Sequence, residues 1–260
     1  MNSYNRYLNE LDELGFFKID GLFSADEVKS INEKLDEYIG TGYDGIVMEN
    51  NSNTVRGIHG PHLYDQFFHT LAKNKTIIDL CSSWLEDQVY IHQYKINMKQ
   101  AMEGKHWPWH QDFIYWREFD HIQAPRLLNI AVVLDDISML QGPLCFIPKS
   151  HKLGELTNLK KAGEKNWERA VSADLTYQLD KDVIAELLDQ FGFEFMLAKA
   201  GDVIVFDPQL AHCSSNNLSA NDRRLMIITV NAVSNAPVKQ SNRPAFLAAK
   251  TYEPILPLVA

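Results

Sequence analysis

Val89-Tyr90-Ile91-His92-Gln93-Tyr94-Lys95-Ile96-Asn97-Met98 is where the chain changes character. The stretch is rich in aromatic and β-branched residues and free of Gly and Pro, so it predicts a strand. Downstream, the same reading applies to Leu127 to Leu134, Leu144 to Ile147, Phe193 to Leu197, Val203 to Phe206 and Leu225 to Val233. Gly142-Pro143, Gly201-Asp202 and Asp207-Pro208 supply turns between them. Many short strands with such punctuation predict a β-sandwich or jelly roll. Upstream, the pattern is helical. Tyr4, Tyr7, Leu8, Leu11 and Leu14 share a stripe that Gly15 ends. Phe16-Phe17-Lys18-Ile19 is a short strand candidate. Ser24-Ala25-Asp26-Glu27 is a capping box with Phe23 placed as a staple, and Val28, Ile31 and Leu35 follow as a buried stripe closed by Gly40. A further helix is expected from about Leu71 to Leu85, and another from Lys181 to Phe191. The polar segment Lys152 to Ala170 is expected to be a surface excursion or lid.

These elements predict a mainly β protein with flanking α-helices. With no internal repeat or linker, residues 1–260 read as a single domain, a helical N-terminal third packed on a core from about 89 to 235. The net charge of -9 argues against a nucleic-acid surface. No apolar run approaches a membrane span. Three cysteines without CxxC spacing, and no signal-peptide layout, predict a cytoplasmic protein.

The chemistry concentrates in Trp107-Pro108-Trp109-His110-Gln111-Asp112-Phe113. A His and an Asp two apart on an extended strand would share a face. A distant His would complete a 2-His-1-carboxylate triad, which holds ferrous iron and leaves positions open for chemistry. Among nine histidines a His-x-Asp can arise by chance. His212, just past the strand Val203 to Phe206 and its Asp207-Pro208 turn, is the candidate partner. His59, His62, His69, His106 and His121 lack a carboxylate at strand spacing and read as structural or exposed. Arg223 and Arg224 point to opposite faces of the last strand, so at most one enters a pocket there. An arginine suits a carboxylate co-substrate, because its planar fork meets both oxygens and stays charged.

Together these residues resemble the phytanoyl-CoA dioxygenase family of Fe(II)/2-oxoglutarate oxygenases, and its ectoine hydroxylase-like members above all. The resemblance runs from Leu14-Gly15-Phe16 through Val55-Arg56, Trp109-His110-Gln111-Asp112-Phe113 and Ile147-Pro148-Lys149-Ser150-His151 to Arg243-Pro244-Ala245-Phe246. It implies a double-stranded β-helix (a cupin-like jelly roll). It implies Fe(II) on His110, Asp112 and His212, and 2-oxoglutarate on Arg223, Asn97 and Ser214, with O2 as the second co-substrate. The expected reaction is oxidation of an unactivated C–H bond, most simply hydroxylation, with release of succinate and CO2. Dealkylation, desaturation and cyclisation use the same chemistry, and a non-catalytic jelly-roll binding protein is the reading from another class. Family members that halogenate lack the carboxylate that Asp112 supplies. Gln111, Ile114-Tyr115, Arg117, Lys95 and Asn129 depart from the ectoine hydroxylase pattern. A substrate site is therefore expected around Gln93, Lys95, Trp107, Trp116, Arg117 and Asn129, with Tyr115 as a further wall. That mixture suits a small polar metabolite such as an amino acid or related zwitterion, in a monomer or homodimer.

Overall fold

The computed structural model describes residues 3–50, 52–156, 159–161, 171–172 and 175–258. In chain order the elements begin with α1 (Ser3–Leu14), β1 (Phe16–Ile19), α2 (Ala25–Ile39), β2 (Ile46–Met48) and β3 (Val55–His59). Next come α3 (Gln66–Leu71), α4 (Lys75–Leu85), β4 (Val89–Lys99), β5 (Trp107–His110), α5 (Phe113–Asp120), β6 (Leu127–Val133) and β7 (Leu144–Phe146). The last are β8 (Leu159–Lys161), β9 (Tyr177–Leu179), α6 (Lys181–Phe191), β10 (Glu194–Phe195), β11 (Val203–Phe206), β12 (His212–Ser214) and β13 (Arg223–Ala232).

Seven strands form the large sheet, in the order β1-β11-β6-β13-β4-β3-β2, and four form the small one, β10-β7-β12-β5. Every pairing within them is antiparallel. The result is a jelly roll, with the helical N-terminal region laid on the outer face of the large sheet.

Strand alternation explains both faces. Tyr94, Ile96 and Met98 of β4 and Met226, Ile228 and Val230 of β13 pack with Ile31 and Leu35 of α2 and Ile78 and Cys81 of α4. Successive side chains of a strand point to opposite faces, so Gln93, Lys95, Asn97 and Lys99 are left facing the interior between the sheets. Leu225 and Ile227 face the same interior, where they meet Phe146 and Phe206. A jelly roll with helices on one side thus receives a polar stripe on one interior wall.

The capping box is present: Ser24 Oγ accepts from the Glu27 amide, and Glu27 returns a bond to the Ser24 amide. The helix expected over 71–85 begins later, at Lys75, and a separate helix, α3, ends at Leu71. Asn74 accepts the Ile77 amide as an N-cap, so α4 starts afresh there. The strand expected over Phe193 to Leu197 shrinks to β10, and the last strand begins at Arg223. Helix α5 was not expected. Its successive residues Phe113, Ile114, Tyr115 and Trp116 are all buried, which erases the one-sided apolar stripe that marks a surface helix. Of the expected lid, residues 157, 158 and 162–170 lie outside the described residues.

Candidate metal centre and co-substrate cavity

His110 ends β5 and His212 opens β12. They are register partners on neighbouring strands, with ring centroids 4.2 Å apart. Asp112 is not on the strand. The chain turns after His110, the Phe113 amide donates to the Pro208 carbonyl, and Asp112 sits at the N-terminus of α5. The turn, rather than strand periodicity, brings its carboxylate to the two imidazoles. His110 Nε2 lies 3.6 Å from Asp112 Oδ1 and His212 Nε2 lies 3.8 Å from Oδ2. The three ligand atoms fall within 4.8 Å of one another, and all three residues are buried.

The second ring nitrogens fix the chemistry. His110 Nδ1 donates to the Pro108 carbonyl at 2.7 Å and His212 Nδ1 to the Leu210 carbonyl at 2.9 Å. A carbonyl can only accept, so Nδ1 carries the proton and Nε2 presents a lone pair to the centre. Burial pushes the Asp112 carboxyl upward, but Lys95, His212 and His110 together outweigh it and hold it below the usual carboxylate range. Asn129 Nδ2 donates to Asp112 Oδ2 at 2.9 Å, and Asn129 Oδ1 accepts from Thr229 Oγ1 at 2.7 Å. The centre is thus a deprotonated, preoriented donor set, which fits a divalent metal such as iron.

Arg223, fully buried, lines the same cavity with Asn97 and Ser214. Its Nη2 donates to the Gly142 carbonyl at 3.2 Å, while Nε has no partner among the described residues. Burial, then the charge of Arg56, pulls its pKa down to about 9. An incompletely paired guanidinium in a buried wall is a socket for an anion. Arg224 turns the other way, into a bidentate pair with Asp135 at 2.9 and 2.7 Å. Lys99, which sequence reasoning missed, is the register partner of Arg223. Its Nζ donates to Ser214 Oγ at 2.8 Å and to the Ser215 carbonyl. Burial, then Arg223, holds the Lys99 pKa well below the ordinary lysine value. The alternation Gln93, Lys95, Asn97, Lys99 was the signal that could have found it.

Gln93, Lys95, Trp107, Tyr115 and Trp116 also line the cavity, joined by His59 and by Val171 and Leu175. Trp107 is held by the Arg56 guanidinium, 3.8 Å above its ring, and Arg56 Nη1 donates to both Glu49 carboxylate oxygens at 3.0 Å. Arg117 and Asn129 are not among the lining residues. Arg117 pairs with Glu118 and Glu155 on the outer side of α5, and Asn129 is held by Asp112 and Thr229. Gln111 also points away, tying Gly154, Leu156 and Gln209 together. Sequence patterning placed Arg117 and Asn129 in the substrate site, whereas Arg117 is engaged in ion pairs and Asn129 in orienting Asp112. Asp120, at the far end of α5, accepts from His92, Ser241 and Arg243, and so fixes that helix to β4 and to the C-terminal segment.

Two imidazoles and a carboxylate converging inside a jelly roll, next to an unsaturated arginine, define the mononuclear non-haem iron class. The chain belongs to the phytanoyl-CoA dioxygenase (PhyH) family, whose family model matches residues 11–225. It is 34% identical over 249 residues to L-proline trans-4-hydroxylase of Streptomyces griseoviridis, covering 95% of this chain and 92% of that one. It is 32% identical over 250 residues to ectoine dioxygenase of Sphingopyxis alaskensis, covering 92% and 80%. Crystal structures of EctD from S. alaskensis superpose with a TM-score of 0.80. The one with bound Fe is 30% identical and covers 98% of this chain and 86% of its own. The one with 2-oxoglutarate and 5-hydroxyectoine is 29% identical and covers 96% and 85%.

The buried histidines make the iron-free protein sensitive to acid. Burial pushes His59 and His212 down to about 3 and His62 to about 4, from 6.5. The unfolded chain takes up these protons below pH 6.5 and the fold refuses them, so stability falls as pH drops through that window. Asp207 opposes, because burial raises it to about 6 from 3.8. Three groups against one leave two protons, or roughly 3 kcal/mol per pH unit between about pH 6 and 4. Urea midpoints of iron-free protein at pH 7, 6 and 5 should decline most steeply in the last step. A flat profile contradicts the burial of these rings.

Proposed function

We propose that this chain is an Fe(II)- and 2-oxoglutarate-dependent dioxygenase that hydroxylates a small zwitterionic metabolite, an α-amino acid or a compact cyclic relative of one. The observation that carries this reading is a single cavity holding both the His110, Asp112 and His212 donor set and the incompletely paired Arg223. In the balanced reaction, one oxygen atom of O2 enters a C–H bond to give C–OH. The other enters succinate as 2-oxoglutarate loses CO2.

Bound iron, with 2-oxoglutarate as electron source, supplies the oxidising power. The residues supply geometry and electrostatics. His110, Asp112 and His212 hold the metal, with the two backbone carbonyls and Asn129 fixing their orientation. Arg223, Ser214 and Asn97 hold the co-substrate. Because Ser214 Oγ accepts from Lys99, its own proton is free to donate toward the cavity. Gln93, Lys95, Trp107 and Trp116 hold the substrate. Gln93 Nε2 is committed to the Leu247 carbonyl, which leaves Oε1 to accept from an amine. Arg117 and Asn129 drop out of the substrate set.

The relatives support a small zwitterion, since proline and ectoine are both compact rings bearing a carboxylate and a positive charge. We read the whole chain as one catalytic domain, because the cavity draws its lining from His59 on β3 through to Ile227 on β13. No helix among the described residues is long and apolar enough to cross a membrane. A cytoplasmic location is in keeping with three unpaired cysteines.

The test is a screen of cyclic and acyclic amino acids and ectoine-like zwitterions for substrate-stimulated succinate formation, with product mass read alongside. A gain of one oxygen is expected. Loss of a carbon fragment would mean dealkylation, and succinate stimulated by no zwitterion would sink the substrate class.

A further inference from the structure

Among the described residues, the cavity contains one cation, Lys95, that neither metal nor co-substrate accounts for. Arg223 faces the expected 2-oxoglutarate, whereas Lys95 has no hydrogen bond or ion pair among the described residues. Its charge is the largest influence drawing the Asp112 carboxyl down. Among the described residues, no carboxylate other than Asp112 lines the cavity.

Directly across the sheet stands His59, the register partner of Lys95 on β3. The two project from the same face of neighbouring strands. His59 is 3% exposed and lines the cavity. Its Nδ1 is buried with no hydrogen-bond partner, and neither ring nitrogen bonds to another described residue. A buried, unsatisfied imidazole costs roughly 1–3 kcal/mol unless something fills the vacancy. Burial, then Lys95, Arg243 and Arg56, pushes its pKa down to about 3, so the ring is neutral and offers one N–H donor.

Gly57, the next register pair, lies opposite Asn97. A Cβ there would sit 3.2 Å from the Ile96 carbonyl oxygen, 3.6 Å from His59 Nε2 and 3.7 Å from Asn97 Oδ1. Any side chain at that position would crowd the imidazole, and glycine avoids this. The patch therefore presents an ammonium and a neutral N–H donor side by side, bounded by the smallest residue. A carboxylate accepts from both at once, one oxygen to each.

We propose that His59 and Lys95 form the subsite for the substrate's carboxylate, so that the enzyme acts on a free amino or imino acid and rejects its amide, ester or carrier-bound form. This rests on the oxygenase reading and adds to it a recognition residue and a required functional group. An amide in the same place would bring its NH2 against the ammonium and leave a buried donor unpaired, a loss that polar sites enforce strongly.

The experiment compares L-proline, L-pipecolate and L-leucine, each with its amide, on the wild type and on His59→Leu, His59→Gln and Lys95→Met. Anaerobic formation of the visible band of the iron–2-oxoglutarate complex reports separately whether the cofactor site is loaded. The wild type is expected to prefer at least one acid over its amide by about 100-fold or more in kcat/KM. His59→Leu should raise KM for that acid about 10-fold, in line with one lost hydrogen bond to a charged group, and should narrow the acid-to-amide ratio. His59→Gln, which keeps an N–H donor, should recover part of the ratio, and Lys95→Met should collapse it furthest. The subsite is overturned if the band forms but no acid is preferred over its amide, or if His59→Leu leaves the ratio unchanged. Absence of the band in the wild type would instead sink the oxygenase reading itself.

Discussion

Replacing Asp112 by alanine is expected to abolish stoichiometric iron binding and to lower turnover by more than about 100-fold. That threshold is the upper end of what losing an outer-sphere partner costs, and Asp112 is a ligand. Its carboxylate is the one anion of the donor set, and both imidazoles are neutral, so the variant presents a divalent ion with no local counter-charge. Asn129 would lose its acceptor 2.9 Å away and Lys95 the carboxylate its charge acts on, leaving an electropositive site. Anaerobic Fe(II) titration followed by the product assay checks this, with a thermal melt to verify folding. A folded Asp112→Ala protein that binds iron one-to-one and turns over would refute the assignment. Asp112→Glu is the finer probe, because an added methylene pushes the carboxylate toward rings whose nitrogens are already within 4 Å.

The second large effect belongs to Arg223. Arg223→Met should raise KM for 2-oxoglutarate about 100-fold, the equivalent of two hydrogen bonds to a charged group. Its iron affinity should change little. Stability without ligand should not fall, because the substitution removes a buried charge whose one side-chain hydrogen bond among the described residues is to the Gly142 carbonyl. Arg224→Met is the control. Its guanidinium is committed to Asp135 on the outer side of the strand, so it should leave KM for 2-oxoglutarate unchanged. Co-substrate titrations of the two variants separate these outcomes, and a reversed pattern would place the co-substrate on the wrong face of β13.

The donor set was legible because it needs only residue types at short spacing plus one histidine beyond a strong strand. Strand alternation showed that at most one of Arg223 and Arg224 could enter the cavity, and the family pattern pointed to Arg223. The capping box on α2 was legible because capping is local. What the sequence concealed depends on distant partners. Nothing near His59 marks it as a cavity residue until β3 pairs with β4 and sets it against Lys95. Lys99 looks like a strand-end surface lysine until β12 delivers Ser214 to it. Asn129 and Arg117 were misplaced for the converse reason: they are polar, near the motif and available on paper, but Asp112, Thr229, Glu118 and Glu155 had already claimed them. Helix α5 was invisible because its first four residues are all buried, a continuous apolar run that shows no helical period.

Asp120 shows how far the catalytic wall extends. Burial raises its carboxyl, Arg243 and His92 more than reverse this, and the ion stays charged deep inside the protein. The helix that presents Tyr115 and Trp116 to the cavity therefore takes its seating from residues more than a hundred positions away. The C-terminal stretch is a tuning peg rather than an appendage. Variation there can rotate the aromatic wall while every cavity residue stays the same, which gives natural drift, or a designer, a route to new substrate scope without touching the metal centre.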